Sequence, residues 1–252
     1  MSRDFFRIVL VGHYCLWLPL NIGKPVVACG TLVFAFVMLM GLVLWLYRAR
    51  KRLAVNWTAK WRRKIYDLHN VFGFYAALII FTLAVTGLIM GFQWFADAVY
   101  WISSGGKSMP VQTVPVSDTV NISQPLLPID HLMQRYLTNE PSGKSIILYL
   151  PQTAGAPFRL CVNNRAGTYY KTDYHFFDRF TLEELTAEGI YSGKYDDMSV
   201  ANKIMRMNYD IHVGAIGGLP GKILAFFGSL IAASLPVTGF ITTLSKRKRK
   251  KL

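Results

Sequence analysis

Two tetrads carry the most specific chemistry this sequence offers. YDLH occupies Tyr66–His69 and YDIH occupies Tyr209–His212, each just ahead of a long apolar run. Neutral imidazole binds iron through one ring nitrogen while an acceptor holds the N–H of the other, so two histidines facing each other across a helix bundle can supply both axial nitrogens of a haem. A histidine at the edge of an apolar run can equally be an interfacial anchor. Which of these applies depends on where the elements place the rings.

Three stretches decide that placement. Pro25–Tyr47, Val71–Phe95 and Ile223–Leu244 contain no Asp, Glu, Lys, Arg or His. Each is long enough as a helix to cross about 30 Å of hydrocarbon, and none has the charged face that a core helix of a soluble protein needs. They read as three transmembrane helices. The net charge of +14 is local: Arg48–Lys64 holds eight Lys/Arg and no acid, Lys246–Lys251 holds six, and the rest balances at 14 basic and 14 acidic residues. Basic clusters that flank spans are the positive-inside signal, so the partner they imply is a lipid bilayer and not a nucleic acid.

With both clusters in the cytoplasm, the expected organisation follows. Residues 1–24 form an extracytoplasmic or interfacial N-terminus, 25–47 the first span, 48–68 a basic cytoplasmic loop and 69–95 the second span. Residues 96–210 form an extracytoplasmic domain, 211–222 an interfacial entry segment, 223–244 the third span and 245–252 a basic cytoplasmic tail. The N-terminus must then be exported, yet Met1–Pro19 has no uninterrupted apolar core and no small-residue cleavage site. Cys15, Cys29 and Cys161 imply no disulfide framework.

The polar segment 96–210 is punctuated like a small α+β domain. Trp101–Ser123 reads as a linker rich in Gly, Pro, Ser and Thr, and Pro128–Leu137 as a helix with Ile129, Leu132, Met133 and Tyr136 on one face. Strands are expected at Ser145–Leu150, Phe158–Val162 and Thr168–Lys171, separated by QTAGAP and NNRAG, with a further short helix over Leu182–Glu188 after Thr181.

An internal repeat ties the outer segments together. Aligning His13 with His212 gives, in both copies, His, a Gly/Pro-containing stretch, Gly-Lys, an apolar span and a basic cluster, with His-to-Lys distances of 11 and 10 residues. By this alignment His13 is the counterpart of His212, and the two precede spans one and three on the same side. His69 begins span two on the opposite side, which separates YDLH from YDIH. Asp67, Asn70 and Asp210 lie near these rings in sequence, and Gly214, Gly217, Gly218 and Gly221 are expected to bend the chain. Thr86-Gly87 and Thr238-Gly239 recur late in spans two and three, where small residues are expected to serve helix packing. His131 and His175 are assigned to the surface or to local hydrogen bonds.

LHNVFGFYAALIIFTLAVTGLIMGF at Leu68–Phe92 and IHVGAIGGLPGKILAFFGSLIAASLPVTGF at Ile211–Phe240 resemble the PepSY-associated transmembrane family of bacterial inner-membrane proteins, which includes siderophore-iron reductases. The first is similar to the family's LH-x-x-x-G segment with Thr-Gly late in the span, the second to its LH-x-G-x-x-x-G-x-P-G-K/R segment. The resemblance implies an α-helical membrane protein with three transmembrane helices and one small α+β PepSY-like module, periplasmic over residues 96–210. It implies haem b held by His13 and His212, with His69 a ligand of a second haem. Family members typically have four spans in two halves, so the expected partner of His69 lies on a first span that this sequence lacks, supplied by a missing N-terminal half or a partner subunit. The implied function is electron transfer to an extracytoplasmic ferric chelate such as a ferric siderophore. The alternative is a non-enzymatic PepSY anchor that binds peptide or modulates an external protease.

Other chemistries lack their residues. There is no HExxH, no CxxC pair and no G-x-S-x-G, and GGLPGK at Gly217–Lys222 has neither the spacing nor the Ser/Thr of a phosphate loop.

Overall fold

A computed structural model describes residues 4–47, 53–117, 129–139 and 145–249. In chain order the helices are α1 (Phe5–Cys15), α2 (Leu20–Leu46), α3 (Trp61–Gly91), α4 (Gln93–Ser103), α5 (Ile129–Asn139), α6 (Val200–His212) and α7 (Gly218–Arg249). The strands are β1 (Ser145–Tyr149), β2 (Phe158–Asn163), β3 (Thr172–Phe177) and β4 (Glu184–Leu185), and a single 3-10 turn covers Ala215–Gly217. The chain divides into two units, Met1–Ala96 with Ile211–Leu252, and Asp97–Asp210.

The first unit is helical. Among the described residues three helices are long and apolar enough to cross a membrane, spanning Leu20–Leu46, Trp61–Gly91 and Ala215–Thr243, and the chain is a multi-pass membrane protein. α3 packs against both α2 and α7. Ala76, Ile80 and Leu235 form the centre of that contact, with Phe34 and Met38 closing over it from α2. Close approach rests on missing side chains: a Cβ at Gly91 would stand 2.9 Å from Cβ of Ala28, and one at Gly228 would stand 2.7 Å from Cγ2 of Ile79. Without a hydrophobic force between helices in lipid, such small-residue seams supply the van der Waals contact that holds a bundle. The helices begin ahead of the charge-free stretches, at Leu20, Trp61 and Gly218, whereas α3 stops at Gly91, short of the expected end at Phe95, where Phe92 is extended and Gln93 opens the separate helix α4.

α1 begins at Asp4, whose carboxylate accepts the N–H of Arg7 at 2.7 Å, and stops where Leu16 and Trp17 both turn left-handed, with φ of 54° and 58°. The indole N–H of Trp17 donates to the carbonyl of Ile8 at 2.9 Å, and its ring lies where a Cβ of Gly12 would be. That contact offsets the strain of two left-handed residues in succession.

The second unit holds an antiparallel sheet in the order β1-β2-β3-β4. Helix α5 covers one face: Leu132, almost fully buried, meets Phe158, Leu160, Val162 and Phe177, flanked by Met133 and Tyr136. Pro128, expected in the first turn of this helix, lies outside the described residues, as do residues 118–123 of the expected linker. Residues 101–103 belong to α4, and Gln112, Thr113 and Ser117 are tied to the loops beside the sheet, with Gln112 Oε1 accepting from the N–H of Tyr191 at 2.8 Å and Ser117 Oγ donating to the carboxylate of Asp178 at 2.6 Å.

Two expected elements are corrected. Thr168–Lys171 is a turn, and the strand is Thr172–Phe177: the side chain of Asn163 closes on the carbonyl of Thr168, and the carboxylate of Asp210 captures the N–H groups of Tyr169 and Tyr170. Those amides are therefore withdrawn from the ladder before the strand can begin. Leu182–Glu188 is not helical. Asp178 Oδ1 accepts from the N–H of Phe180 and Thr181, Leu182 is left-handed at φ 57°, and Glu184–Leu185 pairs with Phe176 and Phe177 as β4. Aspartate accepting amides two and three residues on builds an Asx turn in competition with a helix start.

Candidate functional site

The repeat seen in the sequence has a structural counterpart. His13 lies in the last turn of α1 and His212 is the last residue of α6. Each is followed by a left-handed turn, at Leu16 and Trp17 in one copy and at Gly214, φ 72°, in the other. Ten and nine residues after the histidine, Gly23 and Gly221 sit where a Cβ would collide with the carbonyl of the residue two past it, Cys15 and Gly214 respectively. Both chain segments therefore cross backbone to backbone at the same register, and the crossing needs glycine. Of the four glycines of the second copy, Gly214 and Gly218 bend with positive φ, Gly221 serves the close approach, and Gly217 does neither.

The two crossings bring the rings together. His13 and His212 have centroids 6.0 Å apart with planes at 40°. Two imidazoles bound through one nitrogen each, on opposite sides of a single metal at ~2 Å, stand with centroids roughly 6 Å apart. The donor set and spacing fit a bis-imidazole iron. His212 is half-buried and His13 exposed. Burial in the entry segment, with the neighbouring His13 ring, pushes the His212 pKa below its ordinary value, which favours the neutral, ligating form.

The Thr-Gly pairs do more than pack helices. Thr86 Oγ1 lies 2.9 Å from Nδ1 of His212, and a Cβ on Gly87 would touch Cε1 of that ring at 3.4 Å. Thr238 Oγ1 lies 2.9 Å from Nδ1 of His69, and a Cβ on Gly239 would meet its Cε1 at 3.3 Å. The helix that carries one ring thus holds the next: α3 bears His69 in its third turn and the clamp for His212 near its C-terminal end, and α7 carries the clamp for His69. Sequence reasoning separated YDLH from YDIH. The structure shows their histidines in equivalent surroundings at opposite ends of an antiparallel pair, and the recurrence of Thr-Gly was the signal that could have revealed it.

The aspartates of the tetrads share a task too. Asp67 is 1% exposed, with Arg63 Nε 3.0 Å from one oxygen and the N–H of Asn56 3.4 Å from the other. Asp210 is 0% exposed and accepts from Tyr169 and Tyr170. Neither contacts an imidazole; each anchors the backbone ahead of its histidine.

The sequence profile described as PepSY-associated TM region matches residues 1–246. The chain belongs to the PepSY-associated transmembrane family. No curated protein matches it. Within this PepSY-associated chain, His69 opens onto a cavity of about 630 Å³ between α2, α3 and α7. Its walls include Gly30, Gly41, Gly73 and Gly239 and the rings of Phe34, Trp45 and Phe74. Among the described residues lining it, His69 is the one imidazole, so the cavity offers a single ring nitrogen as a ligand.

The remaining histidines take no part in these PepSY-associated features. His131 is exposed on α5, and His175 is buried with Nδ1 2.6 Å from Oε1 of Glu184. No three His, Cys, Asp or Glu side chains converge among the described residues, so a bare ion with a full protein shell has no ready cage there.

Proposed function

We propose that this chain is a bacterial inner-membrane haem-b electron-transfer protein, with residues 96–210 in the periplasm and an extracytoplasmic ferric chelate or similar acceptor as its oxidant. The observation that carries the reading is the facing pair His13 and His212, with ring centroids 6.0 Å apart. His13 and His212 would hold one haem, and His69 would supply one ligand of a second in the cavity beside it, with a partner subunit or further span giving the other. When bound, haem contributes reversible one-electron chemistry of its iron.

The protein's own residues supply position and insulation. Thr86 lies 17 residues after His69 on α3, which at the helical rise is roughly 25 Å, so the rings of His69 and His212 stand near opposite faces of the hydrocarbon. The mostly apolar walls around His69 would surround a group bound there. Siderophore-bound ferric iron would be the substrate, released because hard oxygen ligands hold ferrous iron more weakly.

Reduced-minus-oxidised visible spectra of the protein purified in mild detergent test this. A haem spectrum that His212→Ala diminishes and His131→Ala leaves intact is expected. A colourless preparation from haem-replete cells would reject the proposal in favour of a non-enzymatic PepSY anchor.

A further inference from the structure

Each threonine hydroxyl at the two ring stations has more neighbours than protons. Thr86 Oγ1 lies 2.7 Å from the carbonyl of Thr82 and 3.0 Å from that of Leu83, in addition to 2.9 Å from Nδ1 of His212. Thr238 Oγ1 lies 2.9 Å from the carbonyl of Ser234, 3.1 Å from that of Leu235 and 2.9 Å from Nδ1 of His69. A hydroxyl has one hydrogen and two acceptor lone pairs, and a carbonyl oxygen can only accept. Turning the hydroxyl hydrogen toward the ring would leave the threonine oxygen facing two carbonyl oxygens at hydrogen-bond distance with no proton between them. The hydrogen must therefore go to the helix carbonyls, and the threonine oxygen can only accept from the ring. The ring nitrogen at Nδ1 then carries the proton.

We infer that Thr86 and Thr238 are positioning residues that hold His212 and His69 in the Nδ1–H tautomer, with the lone pair of each ring on Nε2. Gly87 and Gly239 stand beside Cε1, the carbon between the two nitrogens, at the turn where the hydroxyl stands: a Cβ would crowd it at 3.3 Å on Gly239 and just touch it at 3.4 Å on Gly87. A ring clamped at Nδ1 and Cε1 has its orientation and its ligating atom chosen in advance. What Nε2 serves rests on the proposed haem reading; the tautomer does not. The inference also explains why the same two residues recur at the ends of two antiparallel helices, where packing alone would call only for small side chains.

The test compares Thr86→Val, Thr238→Val and their serine counterparts in the full-length chain. In protein labelled with 15N-histidine, expressed without haem and held at mildly alkaline pH, His69 and His212 should show a protonated Nδ1 and a bare Nε2. Each valine variant, isosteric but without the acceptor, should lose that pattern at its own ring only, and serine should restore it. Haem titration should show binding weakened by about 10- to 100-fold in the valine variants and recovered with serine. Protons on Nε2 in the unaltered protein would overturn the inference whatever haem does. Unchanged 15N patterns and unchanged haem affinity in the valine variants would overturn it as well. A chain that binds no haem but carries its protons on Nδ1 would reject the electron-transfer reading and uphold the tautomer assignment.

Discussion

The carboxylate of Asp210 accepts the backbone N–H of Tyr170 at 2.7 Å and that of Tyr169 at 2.9 Å, from a position sealed from solvent. Charged hydrogen bonds of this kind are each worth more than neutral ones, and removing the acceptor strands two buried donors. Asp210→Ala should destabilise the unit formed by residues 97–210 by about 1.5–3 kcal/mol, with Asp210→Asn intermediate because its amide oxygen can keep one amide. Limited proteolysis and thermal unfolding in detergent would read this; an Asp210→Ala protein as resistant as the parent would refute it.

Two glycines three residues apart should respond in opposite ways. Gly214 combines φ 72° with a backbone crossing at Gly221, whereas a Cβ on Gly217 would meet nothing within 4 Å. Gly214→Ala is expected to cost about 1–3 kcal/mol and to disturb the approach of His212 to His13, while Gly217→Ala should be neutral. Thermal unfolding of both variants makes the comparison. Equal behaviour would contradict the crossing.

Cys161 sits in β2 at 7% exposure, and burial raises its thiol pKa above the ordinary value, an effect only partly opposed by the Arg159 guanidinium. Since the thiolate is the reactive form, maleimide should label Cys161 slowly near neutral pH in a chain whose other cysteines are replaced by alanine, and quickly once the protein is unfolded. Raising the pH through the ordinary thiol range should accelerate native labelling less than for a free thiol. Immediate labelling of the native protein would refute this.

The proposed orientation is open to direct test. In a cysteine-free background, a membrane-impermeant maleimide applied to cells with a permeabilised outer membrane should label Ser104→Cys and should reach Trp57→Cys only after lysis. The reverse pattern would invert the orientation that the basic clusters imply.

The spans and the sheet were legible in sequence because their physics is local: charge-free runs of span length, and alternating strands between Gly/Asn-rich turns. Helix α6 was not, and its buried face explains why. Arg206, Asn208 and Asp210 are buried on it beside Ala201 and Met205, while Val200 is 70% and Tyr209 47% exposed. Apolar periodicity points away from such a helix, since polar partners supplied from afar fill its inner side: Arg206 donates to the carbonyls of Thr172, Ile190 and Ser192. The displacement of β3 has the same origin. Tyr169 and Tyr170 are good strand formers, overridden by an aspartate 40 residues downstream of the second. At the candidate site, the pairing of His13 with His212 followed from repeat register. The threonine clamps escaped because each joins a ring to a helix of opposite direction, a relation that no window along one segment contains.

The antiparallel clamping of α3 and α7 makes each helix a measure of the other. Adding one residue between His69 and Thr86 would turn everything beyond it by about 100° and shift it by about 1.5 Å, carrying Thr86 off the ring of His212 while leaving Thr238 on His69. Neither helix can be lengthened or shortened alone. A bilayer thicker or thinner than the pair prefers must therefore be met by tilting the two together or by deforming the lipid around them, which ties the hold of both threonines on their rings to membrane thickness.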